Sequence, residues 1–470
     1  LKKIKKILIK RENFETLIDL YKEHITNISN PKNIFEREVE LIELKIWSEN
    51  ENWEEYLYQI SNKYSLNENN YILNKLIQNQ KIDECYRLIH MLREKHNKPS
   101  FFSKQLISTF GKNKYYREGI DEAILYLYTK SGNHRSISDR LIIEQIFIWI
   151  DKLLSEALSV NLYLPISNKQ FTSNPFLGYN FKHINKENDI NYIIDIYNKL
   201  IKSNIAVSES KLRLANMKYK ILYDLDSAYD LYHELEKKSS RMDIDTKAIL
   251  GKADILITKG YLDSALNMIH QRIEFENKYN ADNQSMNDLN YKKAQILFYK
   301  SDYSNMNQTL DTLINNMELK NENLNELLEI KTISLFFNEE PENFKIYSSI
   351  QHKIKMNKSF ESILELIQLV NEKNILISEL AQFQYAIIEL QKGNVKNAQQ
   401  IINSMNKETI FYEISFILNA EIEDHINKNY KLAKKLYQDF ITKYPNSIYK
   451  ENILKRLNEI EEILKIKLDS

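Results

Sequence analysis

A short phrase of six residues recurs along this chain of 470 residues. It opens with a turn residue, continues with polar residues around an aromatic or apolar one, and closes on a small residue. Three clear copies are GYLDSA ending at Ala265, GNVKNA ending at Ala398 and KNYKLA ending at Ala433. A phrase repeated at a near-constant period is typical of proteins built from stacked helical repeats. The chain is therefore predicted to consist of similar helical units, each packed on its neighbours.

The period follows from the residue that closes each phrase. Most intervals between successive closing residues are 35 to 41 residues long, close to the roughly 34 residues of a two-helix repeat. An interval of 70 residues contains an irregular insert, and an interval of 54 has room for one extra helix, predicted at residues 360–371. The predicted closing residues are Leu17, Tyr56, Cys85, Ala123, Ile193, Ala228, Ala265, Met306, Phe344, Ala398 and Ala433.

Small residues also recur twelve positions before a closing residue, and larger residues recur four positions after it. Two antiparallel helices approach closely only where side chains are small, and a bulky residue one turn further on fills the adjacent space. Pro445 lies twelve residues after Ala433, where it would stop the second helix of the last pair. The small residues are Ala253, Ala294 and Ala386, and the larger ones are Ile269, Leu310, Ile402 and Tyr437.

With these residues the chain resembles the tetratricopeptide repeat (TPR) family. The resemblance implies an all-α fold, a right-handed α-solenoid of stacked antiparallel helix pairs, with a concave groove lined by the first helix of each pair. It also implies protein partners that bind in this groove as extended peptides or helices. The match is best at the alanines from Ala228 onward, whereas Cys85, Met306 and Phe344 are bulkier and imply looser helix crossings.

The last unit carries a narrower resemblance. Tyr444, Pro445 and Ser447 form a Tyr-Pro-x-Ser turn before a polar helix, and this stretch is similar to units of TPR proteins in the bacterial cell envelope. The resemblance implies a bacterial periplasmic or envelope protein if an N-terminal signal has been removed, with the cytoplasm as the alternative. The basic start of the chain lacks the continuous apolar run of a signal peptide.

Composition supports long helices. The chain has seven glycines and six prolines, against about 33 and about 23 at average usage, and 43% of its residues are hydrophobic. Tight hairpins would require more glycine, whereas helices joined by Asn, Asp and Ser turns do not. We predict divergent helical repeats over residues 1–158, an irregular insert over 159–190, and TPR-like repeats with a capping helix over 191–470.

The charge balance and hydropathy exclude two classes of partner. Lysine and arginine total 65, as do aspartate and glutamate, so the basic stripe expected of a nucleic-acid-binding protein is not predicted. The most apolar predicted helix, residues 141–158, contains Glu144, Asp151 and Lys152. A membrane-spanning helix needs about 20 apolar residues with few charges, so no membrane span is predicted.

No motif predicts catalysis or a cofactor. Gly111-Lys112 lacks the second glycine of a phosphate-binding loop and is followed by Asn113, which indicates a turn. The nine histidines show no metal-ligand spacing, and the neighbouring carboxylates are interpreted as solvated. Cys85 is the single cysteine, so it forms no intramolecular disulfide, and a buried apolar role is predicted for it. We therefore expect a non-enzymatic protein without cofactor or metal.

The stretch at residues 161–189 has no helical periodicity. It contains two prolines, one glycine and five aromatic residues, and such long irregular loops are usually functional or disordered. Disorder is disfavoured because disordered chains have few aromatics. Two interpretations remain, a segment that packs onto the solenoid and a lip that binds a partner. The aromatics are Tyr163, Phe171, Phe176, Tyr179 and Phe181, and the prolines Pro165 and Pro175 would hold the segment extended.

The TPR resemblance implies which residues of the middle units face the groove. Basic residues among them would suit carboxylates or acidic segments of a partner. The alternative interpretation is that they are ordinary solvated residues. The partner-binding candidates are Arg213, Lys220, Lys247, Tyr291, Gln295 and Phe298, and Met217, Asp254 and Asp288 lie on the same predicted face.

These observations predict a protein–protein interaction scaffold. The alternative is a helical interaction module of a larger envelope machine or of a multidomain enzyme. The sequence does not indicate which protein is the partner, nor the oligomeric state.

Overall fold

The structure is a computed structural model that describes residues 2–48, 52–130, 136–160, 164–167, 177, 182–238, 242–279, 283–318, 321, 323–406 and 409–469. The chain forms two compact units. One consists of residues 1–153 with 202–205, and the other of residues 154–201 with 206–470. This division is coarser than the three segments predicted from the sequence, and those segments stay a prediction.

The described residues of the first unit form nine helices, of which the ninth continues into the second unit. Trp149 on the ninth helix lies against Gly111 and Gly119, where an added Cβ would come within 2.9 and 2.7 Å of the indole ring. Three helices therefore meet around one tryptophan at positions that have room for glycine only. The helices are α1 (Lys2–Lys10), α2 (Phe14–Thr26), α3 (Pro31–Trp47), α4 (Trp53–Lys63), α5 (Leu66–Gln78), α6 (Ile82–His96), α7 (Ser103–Lys112), α8 (Tyr116–Tyr128) and α9 (Ile137–Ala157).

Cys85 lies fully buried on α6 among apolar side chains. Burial raises the pKa of its thiol to about 12, so the thiolate does not form at neutral pH. The buried apolar role predicted for this residue is confirmed.

The second unit contains a two-stranded antiparallel ladder followed by fifteen helices among the described residues. The strands are β1 (Leu158–Val160) and β2 (Lys182–Ile184). The helices are α10 (Glu187–Lys202), α11 (Val207–Lys220), α12 (Leu225–Lys238), α13 (Met242–Thr258), α14 (Leu262–Lys278), α15 (Asn283–Tyr299), α16 (Tyr303–Asn316), α17 (Leu324–Phe336), α18 (Pro341–Lys355), α19 (Ile363–Val370), α20 (Ile375–Gln391), α21 (Val395–Ser404), α22 (Ile410–Glu421), α23 (Tyr430–Lys443) and α24 (Lys450–Asp469).

Most helices that follow one another in this unit pack side by side. Short turns join them, so neighbouring helices run antiparallel, and α11 also contacts α13 while α13 contacts α15. Every alanine predicted at a helix crossing is fully buried: Ala228, Ala253, Ala265, Ala294, Ala386, Ala398 and Ala433. The predicted fold class, an all-α solenoid of stacked antiparallel helix pairs of the TPR type, is confirmed.

Backbone geometry explains the first residue of the repeated phrase. Gly260, Gly393 and Lys428 each lie five residues before a closing alanine, and their φ angles are 86°, 81° and 56°. The turn between paired helices thus uses one residue in the left-handed region, which glycine adopts without strain. Other units place a non-glycine residue at this position with φ between 54° and 60°: Glu12, Gln80, Tyr223 and Ser301.

The same geometry corrects two positions predicted from the sequence. Lys114 has φ 62°, and the buried small residue five positions later is Gly119, so Gly119 and not Ala123 closes that unit. Asn357 has φ 61°, and five residues later Ser362 is fully buried. Residues 359–370, a 3₁₀ turn (Ser359–Ser362) followed by α19, are therefore the second helix of a regular pair.

With Ser362 and not Phe344 as the closing residue, the long interval runs from Met306 to Ser362, and the extra helix in it is α17. Helix α18 packs directly on α15 and on α19, as the first helix of a pair does. A helix is present at the predicted residues 360–371, but it is the second helix of a pair and not an extra one, because the phrase there, NKSFES, closes on serine instead of alanine. Phe344, predicted as a closing residue, lies in α18. The centroid of its ring is 5.9 Å from the centroid of the Phe298 ring.

Candidate functional site

A cavity of about 170 Å³ opens between the first two helix pairs of the second unit. Helices α11 and α13 form its two sides, and α12 closes it behind with one tyrosine. Polar and charged side chains outnumber apolar ones in its wall. The lining residues are Leu212, Asn216, Tyr219, Lys220, Tyr232, Lys247, Leu250, Gly251 and Asp254.

Tyr232 holds the back of this cavity in place. Its side chain is fully buried, and its hydroxyl donates a hydrogen bond of 2.7 Å to Oδ1 of Asn216. The ring lies so close to Gly251 that a Cβ there would be 2.3 Å from Cζ of the tyrosine. A glycine in the middle of α13 is thus what lets the aromatic ring of α12 reach the cavity.

Asp254 lies on the cavity wall, and two lysines compensate the negative charge of its carboxylate. Its carboxylate accepts a hydrogen bond of 2.8 Å from Nζ of Lys292, and Nζ of Lys355 lies 3.6 Å away. Burial alone would raise the pKa of Asp254, but the ammonium groups of Lys292, Lys355 and Lys220 lower it to about 2. Burial lowers the pKa of Lys292, against the attraction of Asp254.

Lys220 and Lys247 lie at the exposed mouth of the cavity. Within the described part of the chain, no carboxylate lies within 4.0 Å of either ammonium group. Because Lys292 and Lys355 already neutralise Asp254, the charges of Lys220 and Lys247 leave a net positive site. Such a site can bind an anionic group by charge-assisted hydrogen bonds, with the Asn216 amide and the Tyr219 hydroxyl close by.

Of the six partner-binding candidates predicted from the sequence, Lys220 and Lys247 lie together at this cavity. Arg213 also lies on α11, but its guanidinium donates to Glu209 at 2.8 Å and does not line the cavity. Tyr291 lies on α15, largely buried, and its hydroxyl donates to Glu326 at 3.0 Å.

The placement of Gln295 and Phe298 on a groove surface needs correction. Both side chains are buried, because α18 covers α15 on the side where these residues lie. Phe344 and Tyr347 of α18 pack on Phe298, and Gln295 accepts a hydrogen bond of 2.7 Å from Lys292. The extra helix α17 brings α18 into this position; the repeat pattern predicted one extra helix, but at residues 360–371 and not at α17.

Several residues of the site were not predicted. Tyr232 lies on a second helix, which the TPR resemblance does not place in the groove. Lys355 is about a hundred residues from Asp254 in sequence, and this distance matches no predicted interval between repeats. Lys292 lies 38 residues after Asp254, one repeat further on, so the period could have suggested this pair.

Neither a metal-binding cluster nor a membrane-spanning helix is present among the described residues. No group of three or more His, Cys, Asp or Glu side chains there could hold a metal ion. Among those same residues, no helix is both long enough and apolar enough to cross a membrane.

Comparison with known proteins finds similarity to solved structures only. No family model matches the chain, and no curated protein matches it in sequence. Yeast Tom70 is a similar solved structure, with 12% identity over 97% of this chain and 97% of that one, and a TM-score of 0.24. Naa15/Naa10 bound to HypK-THB matches with 10% identity over 98% and 80% of the two chains, and a TM-score of 0.21.

A designed circular tandem repeat protein matches at 11% identity over 99% of this chain and 88% of that one, with a TM-score of 0.14. At such low TM-scores these matches add nothing to the fold description that the helix contacts give.

Proposed function

We propose that the protein is a non-enzymatic scaffold that binds protein partners, and that the cavity between α11 and α13 binds acidic groups of a partner segment. One observation carries the proposal: two exposed lysines without a carboxylate partner among the described residues stand at the mouth of a polar cavity. Unpaired charges at a concave site attract a ligand of opposite charge and orient it.

The depth of the cavity favours a side chain or a chain terminus over a flat contact. A volume of about 170 Å³ accommodates one carboxylate group with its adjoining methylene groups, while the remainder of a peptide would lie outside. Lys220 and Lys247 would contact this carboxylate from α11 and α13, and Asn216 would donate its amide. Recognition by two adjacent first helices agrees with the groove-binding mode implied by the TPR resemblance.

Binding of a fluorescein-labelled hexaglutamate peptide, measured by fluorescence anisotropy, tests the proposal. We expect Lys220→Glu and Lys247→Glu each to weaken binding about tenfold or more, since each reverses one charge at the mouth. Lys220→Arg keeps the charge and should bind nearly as well as the wild type. Lys396→Glu, an exposed lysine on α21, is the matched control and should change the Kd less than twofold.

Two results would contradict the proposal. One is equal affinity for hexaglutamate and hexaglutamine peptides, and the other is an equal loss of binding in Lys396→Glu and Lys220→Glu. When neither result is found, affinity capture from the native cell identifies the partner, and the Lys220→Glu variant serves as the comparison. The bacterial envelope location suggested by the last unit stays a prediction, which fractionation of the same cells would test.

A further inference from the structure

The irregular insert is held at both of its ends. Leu158 pairs with Ile184 in the β1–β2 ladder, and the carbonyl of Ala157 accepts N–H groups of Asn185 at 2.8 Å and Lys186 at 3.2 Å. The two ends of the insert are therefore held side by side within the second unit. The five aromatic residues named in the sequence analysis, together with Pro175, lie outside the described residues.

The described residues of this loop are buried against the later repeats. Leu164, Ile166 and Leu177 belong to the same hydrophobic core as the helices from α13 to α24. Pro165 lies between the first two, and its ring fixes φ and removes one backbone donor. The loop thus presents Leu164 and Ile166 to the helical core and leaves the next N–H groups available.

These N–H groups bind a buried carboxylate. Glu421, at the end of α22, is fully buried, and it accepts hydrogen bonds from the N–H of Ile166 at 2.6 Å and of Ser167 at 2.9 Å. No lysine, arginine or histidine in the described ranges forms an ion pair with it. A buried carboxylate is costly unless it is hydrogen-bonded, so the loop amides supply the compensation that a cation supplies elsewhere.

The place of Glu421 in the repeat connects it with the cavity described above. Asp254 lies eleven residues before its closing residue Ala265, and Glu421 lies twelve before Ala433. A π turn (Ile422–Ile426) adds one residue between Glu421 and the end of its helix. The two carboxylates therefore occupy equivalent positions on first helices, and Glu421 is on the side from which the fold would receive a ligand.

We propose that the surface around Glu421 is a binding site for an extended apolar peptide segment, and that Leu164–Ser167 occupies it as an intramolecular ligand. The class of ligand follows from the resident segment: two apolar side chains, a proline between them, and two consecutive backbone N–H groups directed at a carboxylate. A partner segment with these features would displace the loop. This site is distinct from the Lys220–Lys247 cavity, so its test does not depend on the function proposed above.

Charged neighbours and the loop act in opposite directions on the pKa of Glu421. Asp424 of the π turn and Tyr437 of α23 face Glu421, and Asp424 is itself bound by Arg456 of α24 and His425. Burial, and next to it the negative charge of Asp424, raise the pKa of Glu421 to about 7 against the hydrogen bonds of the loop. The loop amides therefore act on the ionised form of Glu421, which burial and Asp424 disfavour.

Hydrogen exchange tests the role of Glu421 in docking. Mass spectrometry of peptides covering residues 164–167 gives their protection after correction for the chemical exchange rate. We expect Glu421→Ala, which removes the acceptor of both N–H groups, to lower the protection of these residues about tenfold or more relative to the wild type. Glu421→Gln keeps one oxygen acceptor and should lose less protection. Unchanged protection in Glu421→Ala would overturn the role of Glu421.

Binding of a peptide in trans tests the site itself. The probe is a labelled peptide with the sequence of residues 162–169, and its control carries Asp at the positions of Leu164 and Ile166. The double variant Leu164→Asp/Ile166→Asp should release the loop and bind the probe at least tenfold tighter than the wild type does. Adding Glu421→Ala should abolish that gain. Ile448→Asp, at a highly exposed isoleucine, is the matched control and should bind as the wild type does.

A second measurement keeps the test decisive if the double variant fails to fold. Excess unlabelled probe added to the wild type should increase hydrogen exchange of residues 164–167, whereas the Asp-containing control peptide should not. The proposal is overturned if the probe at millimolar concentration leaves this exchange unchanged, or if a folded double variant binds it no better than the wild type.

Discussion

Replacing Gly251 by alanine should destabilise the second unit, although alanine is the better helix former. In an unhindered helix interior the change stabilises by about 1 kcal/mol. At Gly251 the added Cβ would lie 2.3 Å from Cζ and 2.6 Å from both Cε atoms of Tyr232. Contacts this short force the ring or the helix to move.

The ring has little freedom to move. Tyr232 is fully buried, its hydroxyl is bound to Asn216, and it packs in the core formed by α11, α12 and α13. Overpacking of a native core costs about 1–3 kcal/mol. With a contact this close, the upper half of that range applies, so the gain in helix propensity is outweighed. The expected net loss is about 1–2 kcal/mol.

Urea denaturation followed by circular dichroism at 222 nm measures the effect. Tyr232→Leu removes the ring, so Gly251→Ala should become neutral or stabilising in that background, and the double-mutant cycle isolates the contact. Gly393→Ala is the comparison: nothing lies within 4 Å of its Cβ, but φ is 81°, so a loss there should not respond to Tyr232→Leu. A Gly251→Ala variant more stable than the wild type would refute the reasoning.

Two further predictions concern the stability of the second unit. Ala265→Leu and Ala398→Leu should each cost about 1–3 kcal/mol, because both alanines are fully buried where paired helices cross; Lys396→Leu on the exposed side of α21 should cost much less in the same urea titration. The pKa of Asp254 is lowered to about 2, so its charge contributes stability at pH 4 and above that is lost as pH falls towards 2. This loss, about 2 kcal/mol from the size of the shift, should be absent from the pH profile of Asp254→Asn, and identical profiles would contradict the ion pairing described for Asp254.

The helix crossings were predictable because they depend on one local property. A small side chain is required wherever two helices touch, and this requirement repeats with the period of the structure. Ala228, Ala265, Ala398 and Ala433 could therefore be located from spacing alone. Lys220 and Lys247 were predicted at the groove from the TPR resemblance, which places the first helix of each pair there.

What spacing could not show is any contact made by a departure from the repeat. Helix α17 adds an element between two pairs, and α18 then covers Phe298 and Gln295, which a regular solenoid would leave at the groove. The left-handed turn residue was the better indicator of the repeat boundary, but glycine marks it only at Gly260 and Gly393. At Lys114 and Asn357 the same backbone conformation is adopted by residues that carry no such signal in the sequence.

Asp254 and Glu421 show why equivalent positions in a repeat cannot be assigned one chemistry. Both carboxylates lie at equivalent positions of first helices, and burial raises the pKa of both. At Asp254, ammonium groups from α15 and α18 outweigh burial, so the carboxylate stays ionised and the lysines at the mouth are left to attract an anion. At Glu421 the compensation comes from neutral backbone donors of a distant segment, and burial with the charge of Asp424 raises the pKa of the carboxyl against them. The fold supplies the position, and the residues brought by distant segments decide whether the carboxylate there is held by ammonium groups or by backbone amides.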